Sequence, residues 1–341
     1  MMNPDWAIGA GERLPLGTAV LGRDDIIAFA SEFDAQVFHL DDNAAETTLL
    51  GGLAASGWHT CIAVMGLLQR TLDERALILD SIGADEIIWL KPVRPGDTLT
   101  AMLTWGARSC GTCGERSGAF PVTVETINQN GDPVMRWGMD CLVRPATGGS
   151  CEPPRPADCP MRLPRPARVK RKGLDCGIKF FEDVQPGDEI DLGVYRFTAE
   201  AIRDFRSRYD SAPQADRAAL ALAASPWHLT AAWMQCIVGY YERHAQALQA
   251  RRMPVPTLGP AAGLKHLRWH RPVRAGEMIS YRAWAERKIE IASHRDWGLL
   301  VVGAQGVNEI GEAVVTFYPQ MLLERASRLE PALGTQAGRR G

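Results

Sequence analysis

Asp34 and His39 stand five positions apart in Phe33-Asp34-Ala35-Gln36-Val37-Phe38-His39, at the end of a pattern in which Ile26, Ile27, Phe29, Ala30 and Phe33 share one helical face. A carboxylate and an imidazole that share one water form a general acid and base pair. Imidazole titrates near neutrality, and the carboxylate can orient it or take a proton. On a continuous helix this spacing points the two side chains apart, so the chemistry requires a bend after Asp34. Without the bend the histidine is incidental to a surface helix end, and spacing alone leaves both readings open.

The unit that carries these residues is written twice. Trp89-Leu90-Lys91-Pro92-Val93-Arg94-Pro95-Gly96-Asp97 returns as Trp269-His270-Arg271-Pro272-Val273-Arg274-Ala275-Gly276-Glu277, and Ala54-Ala55-Ser56-Gly57-Trp58-His59 returns as Ala223-Ala224-Ser225-Pro226-Trp227-His228. Phe29 to Asp34 echoes Phe205 to Asp210, and Asn128 to Gly131 echoes Asn308 to Gly311. Four echoes in one order indicate a tandem duplication. The offset falls from 176 at Asp34 to 169 at Trp58 and recovers to 180 at Trp89, so the second copy is shortened just after its aspartate. His39 has no counterpart in the shortened stretch. One half is therefore expected to do chemistry and the other to serve shape.

In each copy a Gly-Glu or Gly-Asp turn precedes a short strand, followed by an amphipathic helix, for which Thr198 is an N-cap in the second copy. A longer helix, apolar on more than one side, begins near Leu53 or Leu222. Strands are predicted at 85–91, 97–106, 119–128 and 133–143, with counterparts at 264–270, 277–288, 298–307 and 313–323. One buried helix wrapped by an antiparallel sheet is the hot-dog architecture. The fold class predicted is therefore α+β, a double hot-dog of two tandem repeats. The boundaries are an N-terminal repeat at 1–145, a Pro/Arg-rich linker at 146–172, a C-terminal repeat at 173–326 and a polar tail at 327–341. The linker's basic residues, Arg162 to Lys172, read as a solvated connector or as a patch for the phosphates of a large anionic ligand.

The 341 residues suit two domains, and 46% hydrophobic with 23% charged residues is a soluble composition. A net charge of −2 gives no global field for nucleic acid or an anionic membrane. No apolar run is long enough for a membrane span and no signal peptide stands at the start, so a cytoplasmic protein is expected. Cys110-Gly111-Thr112-Cys113 has metal or redox spacing, but with no second pair or histidine nearby it reads as a loop between strands, and no metal site is predicted.

The run Phe29 to Asp41, followed by Gly51-Gly52-Leu53-Ala54-Ala55-Ser56-Gly57-Trp58-His59-Thr60, resembles the MaoC-like dehydratase family, which contains the (R)-specific enoyl-CoA hydratases; the segment 89–97 resembles it too. Val37 stands where the family usually has proline, and Gln36 where asparagine is common. The resemblance implies an acyl-CoA hydro-lyase of fatty acid metabolism, which hydrates 2-enoyl-CoA to 3-hydroxyacyl-CoA or runs the reverse. It implies Asp34 and His39 as the catalytic pair, and the Gly57 N–H, with Ser56 and Trp58 beside it, as the site of the thioester oxygen. A helix N-terminus suits that role, because its N–H groups are unpaired and its dipole favours negative charge. Pro226 has no N–H, so the second copy lacks both histidine and donor and is read as degenerate.

Lys91, Arg94, Arg271 and Arg274 are either solvated strand ends or contacts for coenzyme A phosphates. His59 and His228, kept in both copies, read as structural. No cofactor is expected beyond coenzyme A as part of the substrate, and a homodimer of double hot-dog chains is an assembly left open. Two other activities fit the fold: a hot-dog acyl-CoA thioesterase and a non-catalytic acyl-thioester-binding module. Residues 54–70 contain no Asp or Glu, which disfavours the thioesterase. The acyl group is not legible.

Overall fold

The computed structural model describes residues 9–75, 77–81, 83–107, 118–145, 177–209 and 222–326. The expected linker at 146–172, Cys110 and Cys113, Asp210 and the tail lie outside these residues. In the first repeat, β1 (Arg13–Val20) leads into α1 (Arg23–Phe33), then two single-turn helices, α2 (Val37–Leu40) and α3 (Asp42–Glu46). The central helix α4 (Gly57–Glu74) follows, then β2 (Leu77–Ser81), β3 (Gly83–Trp89), β4 (Thr98–Trp105), β5 (Gly118–Ile127) and β6 (Pro133–Pro145). The second repeat runs β7 (Glu189–Arg196), α5 (Ala199–Tyr209), central helix α6 (Pro226–Ala250), β8 (Leu258–Trp269), β9 (Met278–Glu290), β10 (Trp297–Val307) and β11 (Ala313–Glu324).

Local sequence accounts for the elements that matter to the site. In α1, Ile26, Phe29, Ala30 and Phe33 are all buried, and Asp24 and Asp25 complement the helix dipole in its first turn. The helix stops at Asp34, whose backbone (φ −146°, ψ 60°) is no longer helical. The bend that the Asp34 to His39 spacing requires is thus present, and α2 restarts the chain in a new direction. The longer helix starts at Gly57, four residues later than its apolar pattern suggested. Ser56 caps it by accepting from Trp58 N–H, which leaves Leu53 to Ala55 and their carbonyls outside the helix. Thr198 caps α5 as predicted, accepting from Ala201 N–H at 3.1 Å.

All strand pairs are antiparallel, in the order β1-β4-β5-β6-β3-β8-β11-β10-β9-β7, with β2 also on β6. The two copies have the same order reflected about the β3–β8 pair, so one continuous sheet wraps both central helices. In β4 the alternate residues Leu99, Ala101, Leu103 and Trp105 are buried in the hydrophobic core while the residues between them are less so. At the seam Arg268 donates to the Ala84 carbonyl at 2.9 Å, and Lys265 pairs with Glu86 at 2.8 Å. The helices contribute reciprocally: Trp58 of α4 packs edge-on against Phe317 of β11, and Trp227 of α6 against Trp137 of β6.

His59 and His228 occupy equivalent positions in this packing. His59 stacks on Phe29 and His228 on Phe205, the latter with centroids 4.3 Å apart. Burial holds His59 down to about 4 and His228 down to about 3, the second helped by the charge of Arg206. Both are therefore neutral in the fold at pH 7. The unfolded chain takes up protons near pH 6.5 while the folded chain does not, so their stabilisation is complete above that pH and is lost as the pH falls towards 4 and 3. At pH 5 each should have removed about 2 kcal/mol. Urea unfolding at pH 7.5 and 5 should therefore show a smaller loss, by about 2 kcal/mol, in His228→Gln than in the parent. An equal loss in both would show that this ring is not excluded from protonation.

Candidate active site

Three side chains converge on the carboxylate at this bend. Asp34 Oδ1 accepts from Gln36 Nε2 at 2.8 Å, and Oδ2 accepts from Ser56 Oγ–H at 2.7 Å. His39 Nε2 lies 3.4 Å from the same Oδ2. Asp34 is 3% and His39 5% exposed, so neither is the solvated helix end that spacing alone allowed.

The other ring nitrogen fixes the tautomer. His39 Nδ1 is 2.7 Å from the Ala54 carbonyl, which can only accept, so Nδ1 carries a hydrogen. In the neutral ring the Nε2 lone pair then faces Asp34. Two acceptors at this separation suit a water that donates to both. The late start of α4 makes this arrangement available, because a helix begun at Leu53 would commit the Ala54 carbonyl to Trp58 N–H.

Gly57 opens α4 beside this pair. The first turn of a helix has no internal acceptor for its N–H groups, and the Gly57 N–H finds none elsewhere among the described residues. A Cβ at this position would lie 2.4 Å from Trp89 Cε2, so glycine is required for the close approach of the indole as well. Asp34, His39, Gly57 and Trp58 line one cavity of about 260 Å³. Met234, Ala261, His294 and Met321 of the second repeat line it from the other side.

The cationic candidates separate. Lys91 lines the cavity and pairs with Asp132 at 2.6 Å. Arg94 is half-buried and turned inward, donating to the carbonyls of Leu50, Gly52 and Leu53. This departs from the rim position expected of it, because three backbone acceptors within reach of one planar guanidinium hold it there. Arg271 pairs with Glu312 at 2.7 Å and Arg274 is exposed; neither lines the cavity.

Three features were not singled out from sequence. Gln36 turns its amide N–H to Asp34, because its oxygen would be repelled there, and its own Oε1 is buried without a partner. Its place inside the Asp34 to His39 run was the available signal. Met234, His294 and Met321 belong to no motif and reach the cavity only through the seam. The third feature is Arg206, on α5, whose Nε donates at 2.9 Å to the Ala223 carbonyl. Ala223 corresponds to Ala54, so in the second repeat a guanidinium takes the acceptor that His39 takes in the first.

Fold and site together define a double hot-dog protein with a buried carboxylate–imidazole pair at the opening of one central helix. Residues 10–125 match the family model described as MaoC like domain, so the first repeat carries a MaoC-like domain. Over nearly the whole chain it is similar to a MaoC domain protein dehydratase from Chloroflexus aurantiacus J-10-fl, with 14% identity, 93% of this chain and 95% of that one covered, and a TM-score of 0.67. A conserved protein of Mycobacterium tuberculosis described as having a double hot-dog fold is also similar, with 14% identity, 93% and 97% covered, and a TM-score of 0.62. At these identities the likeness shows the fold. The chain is 32% identical over 83 residues to the uncharacterized protein YdeM of Bacillus subtilis (strain 168), spanning 23% of this chain and 56% of that protein, about half the length of this curated relative.

Proposed function

We propose that the protein is an acyl-CoA hydro-lyase, adding water across the 2,3 double bond of a 2-enoyl-CoA or removing it from the 3-hydroxyacyl-CoA. The carrying observation is the Asp34 carboxylate, held by Ser56 and lying 3.4 Å from His39 Nε2, in one cavity with Gly57, whose N–H finds no acceptor among the described residues. A water held between Asp34 and His39 Nε2 gives its hydroxyl to C3 and one proton to the pair; a proton from the pair goes to C2. Charge that gathers on the thioester oxygen is met by the Gly57 N–H. Ser56 and Gln36 hold the carboxylate in place, so the pair needs no rearrangement at the moment of reaction.

The first repeat carries the site in this reading and the second is a wall. Pro226 has no N–H to offer, and Arg206 fills the acceptor that a histidine would use. The thioester lies across the two repeats, because Gln36, Leu49 and Pro260 line both the catalytic cavity and an adjoining groove of about 560 Å³. Glu242 and Asp296 line that groove, which disfavours phosphates there; Lys91 is on the cavity and suits the anionic end of the substrate. Among the described residues Asp34 is the only carboxylate lining the catalytic cavity, which leaves the thioesterase reading without an acid from α4 there.

Incubation with a panel of 2-enoyl-CoAs of varied length and branching should consume the conjugated double bond and form 3-hydroxyacyl-CoA without releasing thiol. A non-reactive acyl-CoA analogue should saturate at one equivalent per chain. Thiol release would make the protein a thioesterase, binding without turnover a binding module, and two equal equivalents would restore the second site.

A further inference from the structure

We propose that Arg94 is the positioning residue for His39, acting through the loop that precedes α4. The inference rests on His39 being the acid–base group of the proposed reaction. Arg94 Nη1 donates to the Gly52 carbonyl at 2.7 Å and the Leu53 carbonyl at 3.0 Å, and Nη2 donates to the Leu50 carbonyl. The next carbonyl along, that of Ala54, receives His39 Nδ1–H. Ala55 N–H donates to the Val93 carbonyl at 2.8 Å, so residues 93 and 94 grip the chain on both sides of Ala54.

Arg94 is itself anchored. Its backbone N–H donates to Asp97 Oδ2 at 2.7 Å, and Asp97 Oδ1 accepts from Gln129 Nε2 at 2.8 Å, which ties the β3–β4 turn to the β5–β6 turn. The loop is shaped for the contact as well. Gly52 has φ +139°, and a Cβ there would lie 3.3 Å from Arg94 Nη1. A planar guanidinium with five fixed donors can serve three carbonyls at once, whereas an ammonium on a flexible stem cannot hold them in one geometry.

The second repeat supplies an internal comparison. Ala224 N–H still donates to the Val273 carbonyl at 2.7 Å, yet Arg274, the counterpart of Arg94, is exposed. Among the described residues the inward clamp occurs in the half that has a histidine to place, whereas in the other half the Ala223 carbonyl is taken by Arg206.

The test uses the full chain with ¹⁵N-labelled histidine. In the parent, the ring spectrum of His39 should show one tautomer protonated at Nδ1, and Arg94→Gln should mix the tautomers. With enoyl-CoA, Arg94→Gln should lower kcat by about 10–100-fold, as expected for a catalytic group displaced by a fraction of an ångström, with KM within about threefold. Arg94→Lys should recover part of the loss. Arg94→Gln added to His39→Gln should cost little more, because the two act as a unit. An unchanged His39 ring spectrum, or losses that add in full, would overturn the proposal. So would a raised KM that returns to normal with an acyl-pantetheine lacking the nucleotide, which would make Arg94 a phosphate contact. Should the parent hydrate no enoyl-CoA, the hydro-lyase reading falls, and the ring spectrum still decides whether Arg94 sets His39.

Discussion

Asp34→Asn should lower enoyl-CoA hydration by about 10²–10⁴-fold while leaving the fold intact, and His39→Gln should do the same. The network shows why the first variant folds. Asparagine can present its oxygen to Gln36 Nε2 and its NH₂ to Ser56 Oγ, so only the Ser56 hydroxyl hydrogen loses its acceptor, a cost the fold can bear. The same NH₂ also faces His39 Nε2, and donation to that lone pair removes the second base along with the first. The double variant should therefore be little worse than either single one. Single-turnover rates on folded protein, checked by thermal melting, measure this. Turnover within tenfold of the parent in either variant would remove these residues from the chemistry.

Loss of the Gly57 N–H should cost about 10²–10³ in kcat. Proline at the first helical position removes the donor without disturbing a helix, as Pro226 does on α6. At Gly57, however, any Cβ meets the Trp89 ring, so the comparison is best made in a Trp89→Leu background. There Gly57→Ala keeps the N–H and should add little, and Gly57→Pro should show the full loss. Equal rates in the alanine and proline variants would place the oxyanion donor elsewhere.

Much of this was legible in the sequence because the repeat let each half interpret the other. The four echoes aligned the strands of one copy with those of the other, and the missing histidine with the missing glycine marked the asymmetry. The helix start was misread, since Leu53 to Ala55 are as apolar as the helix they precede; the cap at Ser56 sets the boundary, and hydrophobic periodicity does not register it. Arg94 looked like a surface cation because its motif sits in a turn. Its partners are carbonyls, which any residue supplies, so nothing in the types of Leu50, Gly52 or Leu53 announces the contact. His294 and Met321 join the site only because β3 pairs with β8, a choice of sheet edge that single-chain patterns do not encode.

The β3–β8 seam has an evolutionary consequence. In an assembly of two identical chains every substitution arrives twice, so a proline at the helix opening or an arginine over the histidine's acceptor would silence both sites together. Here the seam joins halves that are inherited as one gene product yet mutate separately. Pro226 and Arg206 can accumulate in one half under selection that still guards Gly57 and His39 in the other. The relieved half is then free to be selected for what it places across the cavity, and substrate preference can change at Met234 or Met321 without a single alteration to the residues proposed to handle the water.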